Sequence, residues 1–154
     1  MPTVSTTRLT PRQRDVARHL ADGLHAAEVA DELNLSLATV RQYKTAAGHR
    51  LGVSGAPALV EAAYESGDLD QPDPDPEAGK ALACLPDVQR KVLALRAQGM
   101  GVQEIADHLS RPVHVVRKDV RALMAALGAK TPAHAITRAR QLGLLGVPNA
   151  GRSS

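Results

Sequence analysis

The chain has 154 residues, of which 44% are apolar, so it can bury a core and is not disordered throughout. It contains no Phe, no Trp and two Tyr, whereas Ala, Leu and Val are abundant. No run of residues alternates apolar and polar over the length of a strand. The composition therefore argues against a sheet protein and predicts an all-α fold of closely packed helices.

The cysteine count and the N-terminus bear on the location of the protein. Cys84 is the single cysteine, which excludes an internal disulfide and fits a reducing compartment. Residues 1–7 contain no apolar signal-peptide core, and no stretch approaches the roughly 18 consecutive apolar residues of a membrane span. We expect a cytoplasmic protein with no membrane partner.

The net charge is +3, but the charges are spread unevenly along the chain. Residues 1–67 hold seven bases and seven acids, and residues 68–80 hold five acids and Lys80. Residues 81–154 hold eleven bases and four acids. The second half is therefore basic and would attract a polyanion.

The first predicted element is a helix that begins at Thr10 and ends near Gly23. Thr10 can cap this helix, Pro11 suits its first turn, and Gln13 completes a capping box. Gly23 can end the helix in a left-handed conformation.

The next two predicted helices are separated by a tight turn at Asn34-Leu35. The second helix covers about residues 26–33, and Ser36 caps a third helix that stops at Leu51-Gly52. This order forms a helix-turn-helix pattern, in which one helix can enter the major groove while the preceding helix braces it. A fourth helix over about residues 56–66 closes the unit.

A segment rich in Pro and Asp follows at residues 70–80. Alternating Pro and Asp residues cannot form a helix, and their like charges repel one another. We therefore expect an extended, solvated linker.

The rest of the chain repeats the first unit. Shifted by 76 positions, Leu9–Leu69 aligns without a gap on Leu85–Leu145, and the matches include glycines, a Glu-x-Ala-Asp-x-x-Leu string and a Val-Arg pair. We interpret this repetition as a duplication, with domain 1 at residues 9–69 and domain 2 at residues 81–145.

The motifs of the first copy resemble those of the LuxR/GerE-type helix-turn-helix DNA-binding domain. They are, in order, Leu9-Thr-Pro-Arg-Gln-Arg-Asp-Val, Asp22-Gly-Leu, Glu28-Val-Ala-Asp-Glu-Leu, Ser36-Leu-Ala-Thr-Val-Arg, Leu51-Gly-Val and Gly67-Asp-Leu. The second copy resembles the family less closely, through Gln98-Gly-Met, Glu104-Ile-Ala-Asp-His-Leu, Val115-Val-Arg and Leu127-Gly. The resemblance implies four helices in each copy, the third in the major groove and the fourth commonly used for dimerisation.

Two features depart from the family pattern. Such a domain normally follows a receiver or ligand-binding domain, and none is recognisable here, so we expect a regulator without a separate sensory domain. In the second copy Pro112 replaces the capping Ser36 and Asp119 replaces Tyr43. These changes weaken the case for an ordinary phosphate contact at the start of that helix.

Two sets of residues are predicted to contact DNA. The base-facing candidates lie on the outer faces of the two third helices and are Arg41, Gln42, Thr45, Arg117, Lys118 and Arg121. Arg can pair bidentately with guanine, and Gln with adenine. The phosphate candidates in the first copy are Ser36, Thr39 and Lys44. We expect both copies to bind, the more basic second copy supplying more of the non-specific affinity.

The relative placement of the two copies stays open at this level. If extended, the 13 residues at 68–80 could span about 40 Å, and adjacent half-sites lie about 34 Å apart, so one chain could act as an intramolecular pseudo-dimer. Alternatively, the fourth helices at residues 57–66 and 132–142 could pack together within one chain or across a homodimer.

The sequence predicts a sequence-specific, duplex-DNA-binding transcriptional regulator, associated with the nucleoid. The rival hypothesis is a protein-interaction module whose degenerate helix-turn-helix domains bind RNA polymerase, a sigma factor or another regulator. The neutral first copy and Pro112 favour the rival. The six His residues and Cys84 lack the paired spacing of metal ligands, and no glycine-rich loop follows a strand. We therefore expect no metal, no cofactor and no enzymatic activity.

Overall fold

The computed structural model describes residues 9–76 and 85–145, and every regular element within these ranges is an α-helix. The first four helices are α1 (Pro11–Ala21), α2 (Ala26–Leu33), α3 (Leu37–Leu51) and α4 (Ala56–Ser66). The next four are α5 (Asp87–Ala97), α6 (Val102–Leu109), α7 (Val113–Leu127) and α8 (Pro132–Gln141). The prediction of an all-α fold is confirmed. Cys84 lies outside the described residues.

The start of α1 shows why the predicted helix boundaries hold. The Gln13 N–H donates to the Thr10 hydroxyl at 3.2 Å, and the Thr10 N–H donates to Gln13 Oε1 at 3.1 Å. This reciprocal pair satisfies two backbone donors that the first turn leaves without intrahelical partners. Gly23 follows the helix with φ +98°, in the left-handed region predicted for it.

The apolar side chains of both halves belong to one continuous core. Three valines of the first half have no exposed surface, and neither do the residues 76 positions later; the six are Val16, Val29, Val40, Val92, Ile105 and Val116. Buried residues of α4 and α8, including Leu59 and Ile136, join the same cluster. Burial at matching positions therefore gives each half a core built on the same pattern.

The two halves meet through their fourth helices. Helix α4 packs against α8 within the chain, α1 also contacts α8, and α4 also contacts α5. Of the two arrangements that the sequence left open, the structure therefore has the packed one. The faces of α4 and α8 that meet are covered inside a single chain.

The described part of the Pro- and Asp-rich segment is docked on the fold at Asp75, while Asp73, Pro74 and Pro76 around it are exposed. The Asp75 N–H donates to the Gln141 carbonyl at 2.8 Å, and Asp75 Oδ2 pairs with Arg138 at 3.0 Å. Asp68 is buried and accepts the Leu9 N–H at 3.1 Å. Asp75 therefore bonds to α8, and Asp68 bonds to the backbone just before α1. Composition alone does not predict either contact. Residues 77–80 of the predicted linker lie outside the described ranges.

The helices are short. The longest of those described, α3 and α7, have 15 residues each. None in residues 9–76 and 85–145 is long and apolar enough to cross a membrane.

Candidate nucleic-acid interface

The turn between α2 and α3 sets the direction of the third helix. Asn34 has φ 58° and ψ 45°, a left-handed conformation that Asn tolerates better than most residues. The Leu35 N–H then donates to the Ala30 carbonyl at 2.9 Å, which closes the end of α2. The turn is tight because a single left-handed residue reverses the chain.

The start of α3 is held by two hydroxyl groups. Ser36 Oγ accepts the Thr39 N–H at 3.1 Å and donates to Thr39 Oγ1 at 2.8 Å. Ser36 is exposed and Thr39 is half-buried. The predicted cap is confirmed. The two predicted phosphate contacts are thus placed side by side at the N-terminal end of α3, where backbone N–H groups attract anions.

Helix α3 separates a buried face from a polar face. Val40, Ala47 and Gly48 are buried, whereas Arg41, Gln42 and Thr45 are exposed. The three base-facing candidates of α3 therefore share one outer surface. Lys44, predicted as a phosphate contact, is half-buried at the edge of that surface.

His49 extends this surface and was not predicted as a site residue. Arg41, Thr45 and His49 follow one another at intervals of four residues, so they line one face of α3, and His49 is exposed. Lys44, Thr45 and His49 also line a cleft of about 330 Å³ whose other wall is the loop after α3. The four-residue spacing from Arg41 and Thr45 could have identified His49 as part of this surface from the sequence alone.

Helix α7 presents the corresponding surface of the second half. Val116, Leu123 and Leu127 are buried, and Arg117, Lys118 and Arg121 are exposed. None of these three cations forms an ion pair with another described residue. The α7 surface therefore offers three positive charges to a polyanion.

The start of α7 differs physically from the start of α3. Pro112 occupies the cap position and makes no side-chain hydrogen bond. Asp119 lies on α7 and pairs with Arg111 at 3.2 Å, so this acid is balanced by a cation that precedes the helix. The Arg111–Asp119 pair was not predicted, because Arg111 lies in the loop before α7, eight residues ahead of Asp119.

The candidate residues of α3 and those of α7 lie on two separate surfaces. Helix α3 packs on α1, α2 and α4, and α7 packs on α5, α6 and α8. Neither surface is used to join the two halves, which meet through α4 and α8. No group of three or more His, Cys, Asp or Glu side chains within the described ranges is arranged to hold a metal ion.

A family comparison matches the part of the chain that contains α3. The model of "Bacterial regulatory proteins, luxR family" matches residues 7–63, which include α1, α2, α3 and most of α4. No curated protein and no solved structure matches the chain. The second half, residues 85–145, lies beyond the matched residues. Residues 7–63 thus contain a helix-turn-helix domain of the LuxR family, a family of regulatory proteins for which duplex DNA is the expected ligand.

Proposed function

We propose that this protein is a sequence-specific transcription regulator that binds duplex DNA through the outer face of α3, and that α7 contributes a second DNA-contacting surface. The observation that carries the proposal is the exposed set Arg41, Gln42 and Thr45, held outward by the buried face of α3 inside the LuxR-family domain. Arginine and glutamine can each make bidentate hydrogen bonds to base edges in the major groove. The protein acts in the cytoplasm at the nucleoid and has no catalytic role.

The roles of the two surfaces differ in this proposal. The α3 surface combines one cation, Arg41, with two uncharged polar side chains, Gln42 and Thr45. This combination suits base discrimination. The α7 surface holds three cations, which suit phosphates and guanines. Ser36, Thr39 and Lys44 contact the phosphate backbone beside α3.

Fluorescence anisotropy of the full chain with labelled duplexes tests this proposal. The duplex is first enriched from a random library, and binding is then measured across a series of salt concentrations. We expect Arg41→Ala to weaken binding to the enriched site about tenfold while leaving binding to random duplex almost unchanged. We expect Lys118→Ala to weaken both and to reduce the salt slope by about 0.9.

Lys91→Ala is the matched control, because Lys91 is an exposed cation on α5 that carries no predicted contact. The proposal fails if the wild-type chain, folded and helical, binds no duplex at low salt. It also fails if Lys91→Ala has the same effect as Arg41→Ala.

The second candidate function is a protein-interaction module for the second half. The uncapped start of α7 at Pro112 and the Arg111–Asp119 pair favour it, because both remove features that a phosphate contact would use. The partners it would suit are RNA polymerase, a sigma factor or another regulator. The double variant Arg117→Glu/Arg121→Glu separates the two functions. Loss of duplex binding favours DNA, and unchanged duplex binding with loss of polymerase capture favours the protein partner.

A further inference from the structure

The contacts between the two halves are reciprocal. The Tyr64 hydroxyl and the Thr137 hydroxyl are hydrogen-bonded at 2.8 Å. Arg140 lies 76 positions after Tyr64, and Glu61 lies 76 positions before Thr137. These two residues also pair, because Arg140 Nε donates to Glu61 Oε1 at 2.8 Å. The same two positions therefore meet twice, once in each direction.

Two glycine turns show the same reciprocity. A methyl group added to Gly23 would lie 3.0 Å from the His134 ring and 3.3 Å from the Lys130 side chain. A methyl group added to Gly99, the residue 76 positions after Gly23, would lie 3.2 Å from the Ser54 carbonyl and 3.3 Å from Ala58 Cβ. Ser54 and Ala58 are 76 positions before Lys130 and His134. Each half therefore places its first turn against the same two positions of the other half.

The clefts beside the fourth helices also correspond. Ala21, Asp22 and Gln141 line a cleft of about 560 Å³ between α1 and α8. The residues at the equivalent positions, Ala97, Gln98 and Glu65, line a cleft of about 410 Å³ between α4 and α5.

A two-fold axis produces contacts in pairs. If position i of one half contacts position j of the other half, then position j of the first half contacts position i of the second. In this chain the axis relates two halves of one molecule. It maps α4 onto α8 and α3 onto α7, because those helices are 76 positions apart in the sequence.

From these contacts we infer that the chain is a covalent pseudo-dimer, and that its DNA site is an inverted repeat of two unlike half-sites bound by a single chain. The inference rests on the proposed function and specifies its ligand. Two recognition helices related by a two-fold axis read the two strands in opposite directions, which requires an inverted repeat.

The half-sites are unlike because the two reading surfaces are unlike. Arg41, Gln42 and Thr45 face one half-site, and the equivalent positions of α7 present Arg117, Lys118 and Arg121. The first surface can discriminate guanine and adenine, and the second favours guanine and phosphate. One chain suffices because the α4 face that could pair with another chain is covered by α8.

Enrichment of a random duplex library with the full chain tests the inference, followed by sedimentation of the complex to count chains of 16.2 kDa on each duplex. We expect an inverted repeat with dissimilar halves and one chain per site. Two symmetrised duplexes are then made, each repeating one half-site. We expect the natural combination to bind about tenfold more tightly than either palindrome.

Variants assign each half-site to its helix. Arg41→Ala should reduce discrimination in one half-site, and Arg117→Ala in the other, with Lys91→Ala as the control of equal charge. A direct repeat, a single half-site or two chains on a palindrome would overturn the inference while leaving DNA binding intact. If no duplex is enriched or bound at any salt concentration, the proposed function itself fails and the inference falls with it.

Discussion

Arg140 lies over the ring of Tyr64, with its guanidinium carbon 5.0 Å from the ring centroid. The two residues are 76 positions apart, so each is the counterpart of the other, and the pseudo-two-fold axis passes between them. A cation over an aromatic face is attracted by the ring quadrupole. Burial of the Tyr64 ring, rather than its hydrogen bond to Thr137, dominates the pKa of the phenol and raises it above 10.0. The phenol is therefore neutral and remains a hydrogen-bonding group at this contact.

Removal of the Glu61 carboxylate should destabilise the contact between the halves. The Arg140 side chain is 3% exposed, so Glu61→Ala leaves a buried cation without its ionic partner. We expect the free energy of unfolding, measured by urea denaturation, to fall by about 3 kcal/mol. Glu65→Ala, an exposed carboxylate one turn further along α4, should change it by less than about 0.5 kcal/mol.

The charge-swapped variant Glu61→Arg/Arg140→Glu completes this test. It restores an ion pair with the opposite polarity. Its free energy of unfolding should therefore be higher than that of Glu61→Arg alone, though lower than that of the wild-type protein. Equal stabilities of the swapped and single variants would show that the pair does not couple the halves.

Gly48→Ala should destabilise the protein although alanine is the better helix former. A Cβ at Gly48 would lie 2.7 Å from the Val53 carbonyl oxygen, which is backbone and is held by its place in the loop after α3. We expect the clash to outweigh the gain in helix propensity of about 1 kcal/mol and to lower the melting temperature.

Gly101→Ala tests a glycine-to-alanine change without a clash. Gly101 precedes α6, where alanine caps a helix less well than glycine, so we expect a small decrease in melting temperature that Gly48→Ala should exceed. Gly101 has φ −78°, and an added methyl group would make only an ordinary contact, 3.7 Å from Glu104 Oε1. A higher melting temperature for Gly48→Ala would contradict the close approach of the loop to α3.

Ser110→Asn should stabilise the turn between α6 and α7. Ser110 has φ 54° at the turn between α6 and α7, where the first half has Asn34 with φ 58°. Asn adopts left-handed conformations more readily than Ser, so we expect a gain of about 0.5 kcal/mol, measured by thermal denaturation. The reverse change, Asn34→Ser, should lower stability by a similar amount. The explanation is wrong if both changes act in the same direction.

The stability of the protein should decrease below pH 6.5 because of His134. Burial, Arg138 and Lys130 lower the pKa of His134 below 6.5, against the opposing effect of Asp22. His134 Nδ1 also accepts the Lys130 N–H at 3.0 Å, which requires an unprotonated nitrogen. A histidine with a lowered folded-state pKa favours the folded state fully above its unfolded pKa, and this contribution is lost as the pH falls towards the folded value.

Melting temperatures at pH 7.5 and 5.5 measure this effect. The decrease should be smaller in His134→Gln, which does not titrate, than in the wild-type protein. His108→Gln, a change at an exposed histidine on α6, should retain the wild-type decrease. Identical decreases in all three proteins would show that His134 is not responsible.

The helices were predictable because their boundaries depend on nearby residues. Thr10 and Gln13 are three positions apart, as are Ser36 and Thr39, and each pair forms the hydrogen bonds that its residue types allow. The exposed face of α3 followed from helical periodicity in the same way. The LuxR-family domain at residues 7–63 agrees with the motifs that suggested it.

Packing of the fourth helices was one of the alternatives that the sequence left open, but the individual contacts that join the halves were not predictable, because they are distant in sequence. Glu61 and Arg140 are 79 residues apart, and Tyr64 and Thr137 are 73 residues apart. No local pattern indicates which surface cation will meet which acid. The docking of Asp75 on Arg138 escaped prediction for the same reason, since proline and aspartate alone suggest a solvated spacer. The DNA contacts of both surfaces stay predictions.

The meeting of α4 and α8 inside one chain also affects how a regulator responds to its own abundance. A regulator assembled from two separate chains loses its dimer on dilution, so its occupancy of an operator falls faster than its concentration. In the proposed function the second reading surface is tethered to the first, and we expect no assembly step before binding. Operator occupancy should therefore follow the first power of protein concentration, which would keep a graded response at a few copies per cell.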